Sequence, residues 1–378
     1  MEGLCILYEQ RTERTDIPPR SSIAATQLYA GVQPTLRGSW SASSDFLRWG
    51  ASSVGRALRS QRRGRGFNSR ALHQFLECSR MSLSPLIRFG TSTWTYEGWR
   101  GQVYHRQYAK TTFARECLGE YCQYLHNGQP IFRTVGNDST FYRPPTTNQL
   151  RHYLKQIPED FEMCFKVWED ITIPHYAQHA RYGLKAGMPN PRFLDATLFS
   201  DLVLGPFRET NFAPHLGPFL FEFQRHSLTA DTFCSQLDRF FGQLSNEFRY
   251  AVEIRNLGLL GPNYRKVLER HGVAHVYNHW SYMPPLLRQH EQMEECFTAP
   301  FTVIRLLTPL NMSYEMAKKR AAPYDKIVGE LPQMRKDTAA LIKQAANEHR
   351  RTYVLVNNRS EGNAPTTIQA LITGLGNS

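Results

Sequence analysis

Three acidic and three basic side chains stand at or near the ends of short apolar runs in this chain, and together they could move a proton or hold an anion. Glu222 lies in Phe219-Leu220-Phe221-Glu222-Phe223-Gln224. A period of two puts Leu220, Glu222 and Gln224 on one face of a strand and the phenylalanines on the other. A carboxylate buried there without a partner is strongly disfavoured, so a cation or a hydrogen-bond donor is expected beside it. Glu253 and Arg255 likewise share a face, with Val252 and Ile254 on the other. A purely structural ion-pair network is the competing reading of that pair. Lys166 and Arg305 close two further apolar runs. Asp138 begins Asp138-Ser139-Thr140-Phe141-Tyr142-Arg143-Pro144-Pro145, a polar and aromatic stretch in which two prolines end any strand before it.

A carboxylate beside a cation serves as acid or base when its pKa lies near the working pH. Lys and Arg hold phosphate or carboxylate, and Arg does so bidentately. Glu253, Glu222 and Asp138 are therefore the catalytic candidates, and Lys166, Arg255 and Arg305 the ligand-binding ones. Division of acid and base roles between Glu222 and Glu253 in glycosidic cleavage is a lesser reading. Trp94, Tyr142, Asn357 and Asn358 join the ligand-binding set because they too follow strand-like runs. Trp94, Tyr96, Trp99 and Tyr104 could stack on a base or sugar, although packing within a long loop is the preferred explanation. Gly90-Thr91-Ser92 has no nucleophile elbow or Ser–His–acid set to complete it.

Metal chemistry is not favoured, and no cofactor is identified. His175 and His179 lack an H-E-x-x-H frame. Gly272 and a β-rich run interrupt His271, His275 and His279. A divalent ion on Asp138, Glu222 and Glu253 is reasonable through oxygen, but the nearby positive groups weaken the need for it.

The elements that must position these residues alternate along the chain. Strands are expected at Ile87–Gly90, Thr134–Asn137, Glu162–Val167, Pro218–Phe223, Tyr250–Ile254, Ala274–Tyr277, Thr302–Leu306 and Thr352–Val356. Helical stretches are expected at 107–125, 230–246, 262–271 and 333–348, with another beginning near Thr366. In 333–348, Met334, Thr338, Leu341, Ile342 and Ala345 recur at three- and four-residue intervals. Eight strands separated mainly by helices favour a TIM-barrel-like (β/α)8 barrel over an open doubly wound sheet. Useful groups then collect at the carboxyl ends of the strands. The interval 168–217 reads as an elaborated crossover able to cover the mouth.

The net charge of +12 overstates the basicity of this folded part. Residues 1–80 hold twelve Arg, no Lys and six acidic residues, so half of the excess positive charge lies there. Three readings compete for 1–80: a targeting peptide, disfavoured by Glu2, Glu9, Glu13 and Asp16; a flexible, disordered basic arm; or a segment not naturally made, with Met81 as the start. The last is favoured, leaving 81–378 as a single domain. Seven cysteines without a C-x-x-C pair fit a reducing, cytoplasmic setting. No run approaches a membrane span.

Taken in order, these marks resemble the family called domain of unknown function 72, or YecE-like, over about Ile87 to Leu371. They are Gly90-Thr91-Ser92-x-Trp94, Trp99-Arg100-Gly101-x-x-Tyr104, Ser139-Thr140-Phe141-Tyr142-Arg143-Pro144, Phe165-Lys166, Ile171-Thr172 with His175, Gly217-Pro218, Ala251-Val252-Glu253-Ile254-Arg255, Arg305, and Asn357-Asn358 with Gly362-x-Ala364. The resemblance implies a TIM-barrel-like fold and no established reaction. Gly136 and Asp138 depart from the family's usual Val-Glu-x-Asn, Glu222 to Arg225 from Phe-Gln-Leu-Pro-Pro, and Leu307 from Arg-Leu-His-Gly. The leading expectation is hydrolysis of a small polar or anionic ligand such as a phosphoester. The alternative is a protein that binds a ligand or nucleic acid without turnover. No membrane partner is expected, and protein partners are not specified.

Overall fold

Eight barrel strands lie within the residues 84–376 that the computed structural model describes. They are β1 (Ile87–Thr91), β2 (Thr134–Asn137), β3 (Glu162–Lys166), β4 (Leu216–Phe223), β5 (Tyr250–Ile254), β6 (Ala274–His279), β7 (Phe301–Leu306) and β8 (Arg351–Val356). No expected strand boundary moves by more than two residues, whereas the expected helix 230–246 ends at Phe241. The reading of 1–80 lies outside the described residues.

The strands form one sheet in the order β1-β8-β7-β6-β5-β4-β3-β2, and every hydrogen-bonded neighbour is parallel. The sheet curls into a nearly closed barrel flanked by helices. Strands covered on both faces read as continuous apolar runs, and β4 is buried along its whole length. Pro218 lies inside β4 and cannot donate to a ladder. The β3–β4 register shifts opposite it, between Met163 and Phe165.

The sheet's two ends, β1 and β2, meet without a regular ladder. Gly90 lies directly against β2, where an added Cβ would be 1.9 Å from the Thr134 carbonyl oxygen. The Arg133 amide donates to Phe89 O at 2.9 Å. The Tyr121 hydroxyl fills the gap, accepting from the Thr91 amide at 3.0 Å and donating to Thr134 O at 3.3 Å. A side chain thus replaces one backbone rung.

The helices cover the outside. They include α1 (Thr147–Leu154), α2 (Ala230–Phe241), α3 (Pro262–Arg270), α4 (Leu286–Gln292), α5 (Tyr314–Ala321), α6 (Pro332–Asn347) and α7 (Ala364–Gly376). In α6 the five residues singled out by period are all buried. The expected helix 107–125 is a correction. It breaks into Phe113–Glu116 and Leu118–Cys122, and Leu125 enters a short hairpin with Gln129–Pro130. Asn127 and Gly128 both have positive φ, the conformation that an Asn-Gly hairpin turn uses. Helix α1 was not foreseen, although Thr146 and Gln149 form a capping box at its start. Up to the start of β4 at Leu216, segment 168–217 carries short helical pieces, as expected.

The barrel interior is layered. Cys164, Leu220, Ala251, Val276, Val303 and Leu355 belong to a small apolar cluster inside it. At the amino-terminal end Glu162 meets Arg88 Nε at 3.3 Å, Arg249 Nη2 at 3.4 Å and Arg351 Nη1 at 2.8 Å, and accepts from the Tyr353 hydroxyl. The remaining charged layer is at the carboxyl-terminal end. Among the described residues, no helix is long and apolar enough to cross a membrane.

Candidate functional site

Strand parity brings the expected charged residues together at the carboxyl-terminal mouth. Glu222 on β4 and Glu253 on β5 are directly paired in register. Two adjacent buried carboxylates repel unless cations intervene. Arg305, from β7, supplies one: its Nη1 lies 3.0 Å from Glu222 Oε2 and also donates to Glu253. Its Nη2 donates to Asp138 Oδ1 at 3.3 Å. Arg255 Nη2 reaches Glu222 Oε2 at 2.9 Å and Glu253 Oε1 at 2.5 Å. Lys166 Nζ completes the set, 3.0 Å from Glu222 Oε1.

Three acids and three bases therefore form one neutral, linked network. Glu253 is wholly buried, whereas the Asp138 side chain is 36% exposed. Burial alone would raise the Glu222 pKa, but Lys166, Arg255 and Arg305 hold it well below the usual carboxylate range. Glu222 is consequently an anion at neutral pH and is poorly suited to donating a proton. Burial also works against the Arg305 charge, yet Glu253, Asp138 and Glu222 raise its pKa above the ordinary value. The guanidinium of Arg305 occupies the space between the carboxylates that a bound cation or a scissile glycosidic bond would need. Among the described residues, no group of three or more His, Cys, Asp or Glu is arranged to hold a metal ion.

The exit after β2 positions part of this layer. Asn137 caps the turn Asp138–Phe141 by accepting from the Ser139 amide at 3.2 Å. Thr140 Oγ1 donates to Lys166 O at 2.6 Å, tying that exit to β3. The Phe141 ring then lies 4.1 Å from Lys166 Nζ, a cation–π support. Tyr142 is half exposed, with the Arg181 guanidinium 5.4 Å from its ring.

The other expected ligand contacts have structural partners. Trp94 is buried against Tyr153, and its Nε1 donates to Ala114 O at 3.0 Å. Asn358 is also buried, and its Oδ1 accepts from Trp99 Nε1 at 3.2 Å and the Ala364 amide at 2.8 Å. Asn357, equally buried, accepts from the Arg359 amide at 3.1 Å. The histidines at 271, 275 and 279 pair separately with Asp238, Tyr264 and Thr308.

Sequence reasoning missed the cavity beside the network. It measures about 320 Å³ and is lined by Arg225, Arg255, Asn256, Leu257, Gly258 and Tyr282. Asn256 holds its rim together, accepting from the His226 amide at 3.1 Å and donating to His226 O at 2.8 Å. Arg225 is exposed, lies 5.6 Å from the Tyr282 ring and has no carboxylate partner among the described residues. Arg255 is only 7% exposed, and its Nη1 has no hydrogen-bond partner. Its guanidinium carbon lies 4.6 Å from the Trp280 ring. The departure at Arg225 from the usual Pro was the available sequence signal.

A profile of the family described as protein of unknown function DUF72 matches residues 88–378. A DUF72 family protein from Enterococcus faecalis V583 superposes with a TM-score of 0.53 at 19% identity, covering 77% of this chain and 96% of its own. One from Thermotoga maritima MSB8 gives 0.53 at 18% identity, with coverages of 76% and 98%. At these identities the superpositions establish likeness of fold. No curated protein matches.

Proposed function

This chain belongs to the DUF72 family of proteins of unknown function, and we propose that its barrel mouth binds a small anionic ligand, with a phosphoester as the favoured class. The carrying observation is a cavity whose lining contains two arginines and no carboxylate. One of the two, Arg255, is already paired with Glu222 and Glu253 within the neutral network, which leaves Arg225 as the cation of the lining without a carboxylate partner among the described residues. Arginine supports this ligand class because its planar fork matches phosphate oxygens.

Hydrolysis is the finer proposal, with Asp138 as base. Its side chain is the most exposed carboxylate of the network. Asp138 would take a proton from water as the water oxygen bonds to phosphorus. The ester P–O bond would break and the protonated Asp138 would pass that proton to the leaving oxygen. Glu222 and Glu253 would hold Arg255 and Arg305 in place rather than exchange protons.

Binding without turnover is the second reading, favoured by the complete ion pairing of Glu222 and Glu253. Nucleic acid is the less favoured ligand because the supporting observation is a compact cavity rather than a basic track. All five described cysteines are free, which supports a reducing, cytoplasmic setting.

Calorimetric titration of the full chain with inorganic phosphate tests the binding proposal. It predicts saturable binding that weakens in Arg225→Gln. No binding, or binding unchanged by that substitution, overturns it. Phosphate release from a panel of phosphomonoesters tests hydrolysis. Turnover lost in Asp138→Asn with ligand binding retained supports the base assignment; absence of turnover across the panel favours the binding-only reading.

A further inference from the structure

The anionic end is only part of the cavity's chemistry. Leu257 and Tyr282 supply apolar surface in the same lining, and they are 50% and 54% exposed. Tyr282 stands edge-on to Trp280, with centroids 5.3 Å apart and planes at 80°. That contact supports the Tyr282 ring from one side without covering it. Large apolar side chains left exposed in a concave lining beside a cation without a carboxylate partner, here Arg225, mark a ligand surface.

Arg255 restricts where the charge of such a ligand would go. Glu222 and Glu253 hold its Nη2 and Trp280 lies against its guanidinium, which fixes that group in place. Its Nη1 is buried and without a hydrogen-bond partner, one donor of the fork left unsatisfied within the network. Arg225 adds a second, exposed cation beside Tyr282. The volume limits the rest of the molecule. Small-molecule pockets span about 300 to 1,000 Å³, and about 320 Å³ lies at the bottom of that range. This suits one ring with one anionic group, and is too small to enclose a dinucleotide.

We infer that the site selects a monocyclic aromatic phosphomonoester, with the phosphate at Arg225 and Arg255 and the ring against Tyr282 and Leu257. This rests on the anion-binding reading and adds the ring as a second recognition element. Tyr282 and Leu257 are then specificity-determining residues, while the arginines set affinity for phosphate itself.

Gly258 provides a test that avoids the charged network. A Cβ placed there would meet no atom within 4 Å, and the residue is exposed in a short turn. Gly258→Leu should therefore fill the cavity without a clash in the core. The full chain is titrated calorimetrically with phenyl phosphate, inorganic phosphate and phenol, and its thermal unfolding is recorded alongside.

Phenyl phosphate should bind at least about tenfold more tightly than inorganic phosphate, equivalent to about 1.4 kcal/mol. Tyr282→Ala should remove that advantage and leave inorganic phosphate binding unchanged. Gly258→Leu should abolish phenyl phosphate binding at an unchanged Tm. If both phosphates bind equally, or Tyr282→Ala retains the advantage, the ring inference is overturned while anion binding stands. If phenol matches phenyl phosphate, the phosphate assignment is overturned. If neither phosphate binds, both readings fail.

Discussion

Replacing Arg305 by Met removes the cation shared by Glu222, Glu253 and Asp138. The network then changes from formally neutral to a net charge of −1, with Glu253 still fully buried. Arg255 remains beside both glutamates, and Lys166 remains beside Glu222. Removing one partner of a buried ion pair typically destabilises by about 3–5 kcal/mol. For a domain of this size that corresponds to a Tm decrease of about 5–8 °C. Thermal and urea unfolding of the full-length variant would measure it.

The pH dependence distinguishes lost charge pairing from lost packing. In the parent protein the Glu222 pKa is depressed well below 4.5. Its stabilising contribution is therefore complete above the unfolded carboxylate pKa and is lost as pH falls through the folded one. In Arg305→Met the depression of Glu222 is reduced, because only Lys166 and Arg255 remain beside it. The stability gap from the parent should consequently narrow as pH falls below the ordinary carboxylate range toward the parent's depressed folded value. Adding Glu253→Gln should recover part of the loss through their coupling. A variant as stable as the parent near neutrality, or a gap that does not vary with pH, would refute this account.

Three further outcomes follow from named contacts. Gly90→Ala should destabilise by about 3 kcal/mol through overpacking, read as a lower urea midpoint, because its Cβ would strike the Thr134 carbonyl. Tyr121→Phe should cost about 1–3 kcal/mol by leaving buried backbone groups unpaired, and hydrogen exchange at Thr91 should accelerate more than within β8. Glu162→Gln leaves Arg88, Arg249 and Arg351 without their common carboxylate. A loss of about 3 kcal/mol is expected, partly restored by added sulfate; unchanged stability would contradict the proposed role of Glu162.

The barrel was legible because its strands are buried on both faces and carry charges mainly near their ends. Alternation in β4 and β5 placed Glu222, Glu253 and Arg255 in the lumen. The short strands left few other ways to orient these side chains. Loop contacts were less accessible to that reasoning. Trp94 and Asn358 have residue types suited to ligand binding, yet their hydrogen bonds hold neighbouring loops. Arg225, Leu257 and Tyr282 come from three separate exits, and only the path of each loop brings them to one cavity. Local sequence also contained more than periodicity detected: Asn127-Gly128 specifies a turn, and Thr146 with Gln149 starts α1.

The junction between β1 and β2 has a consequence for self-association. A sheet that lacks a complete ladder at this junction retains two potential edges, and exposed edges can recruit another chain. In the folded barrel those edges face each other, with the Tyr121 hydroxyl occupying backbone groups on both. Opening there would expose two complementary templates at once. The tyrosine thus protects the protein from intermolecular strand exchange as well as holding its own strands together.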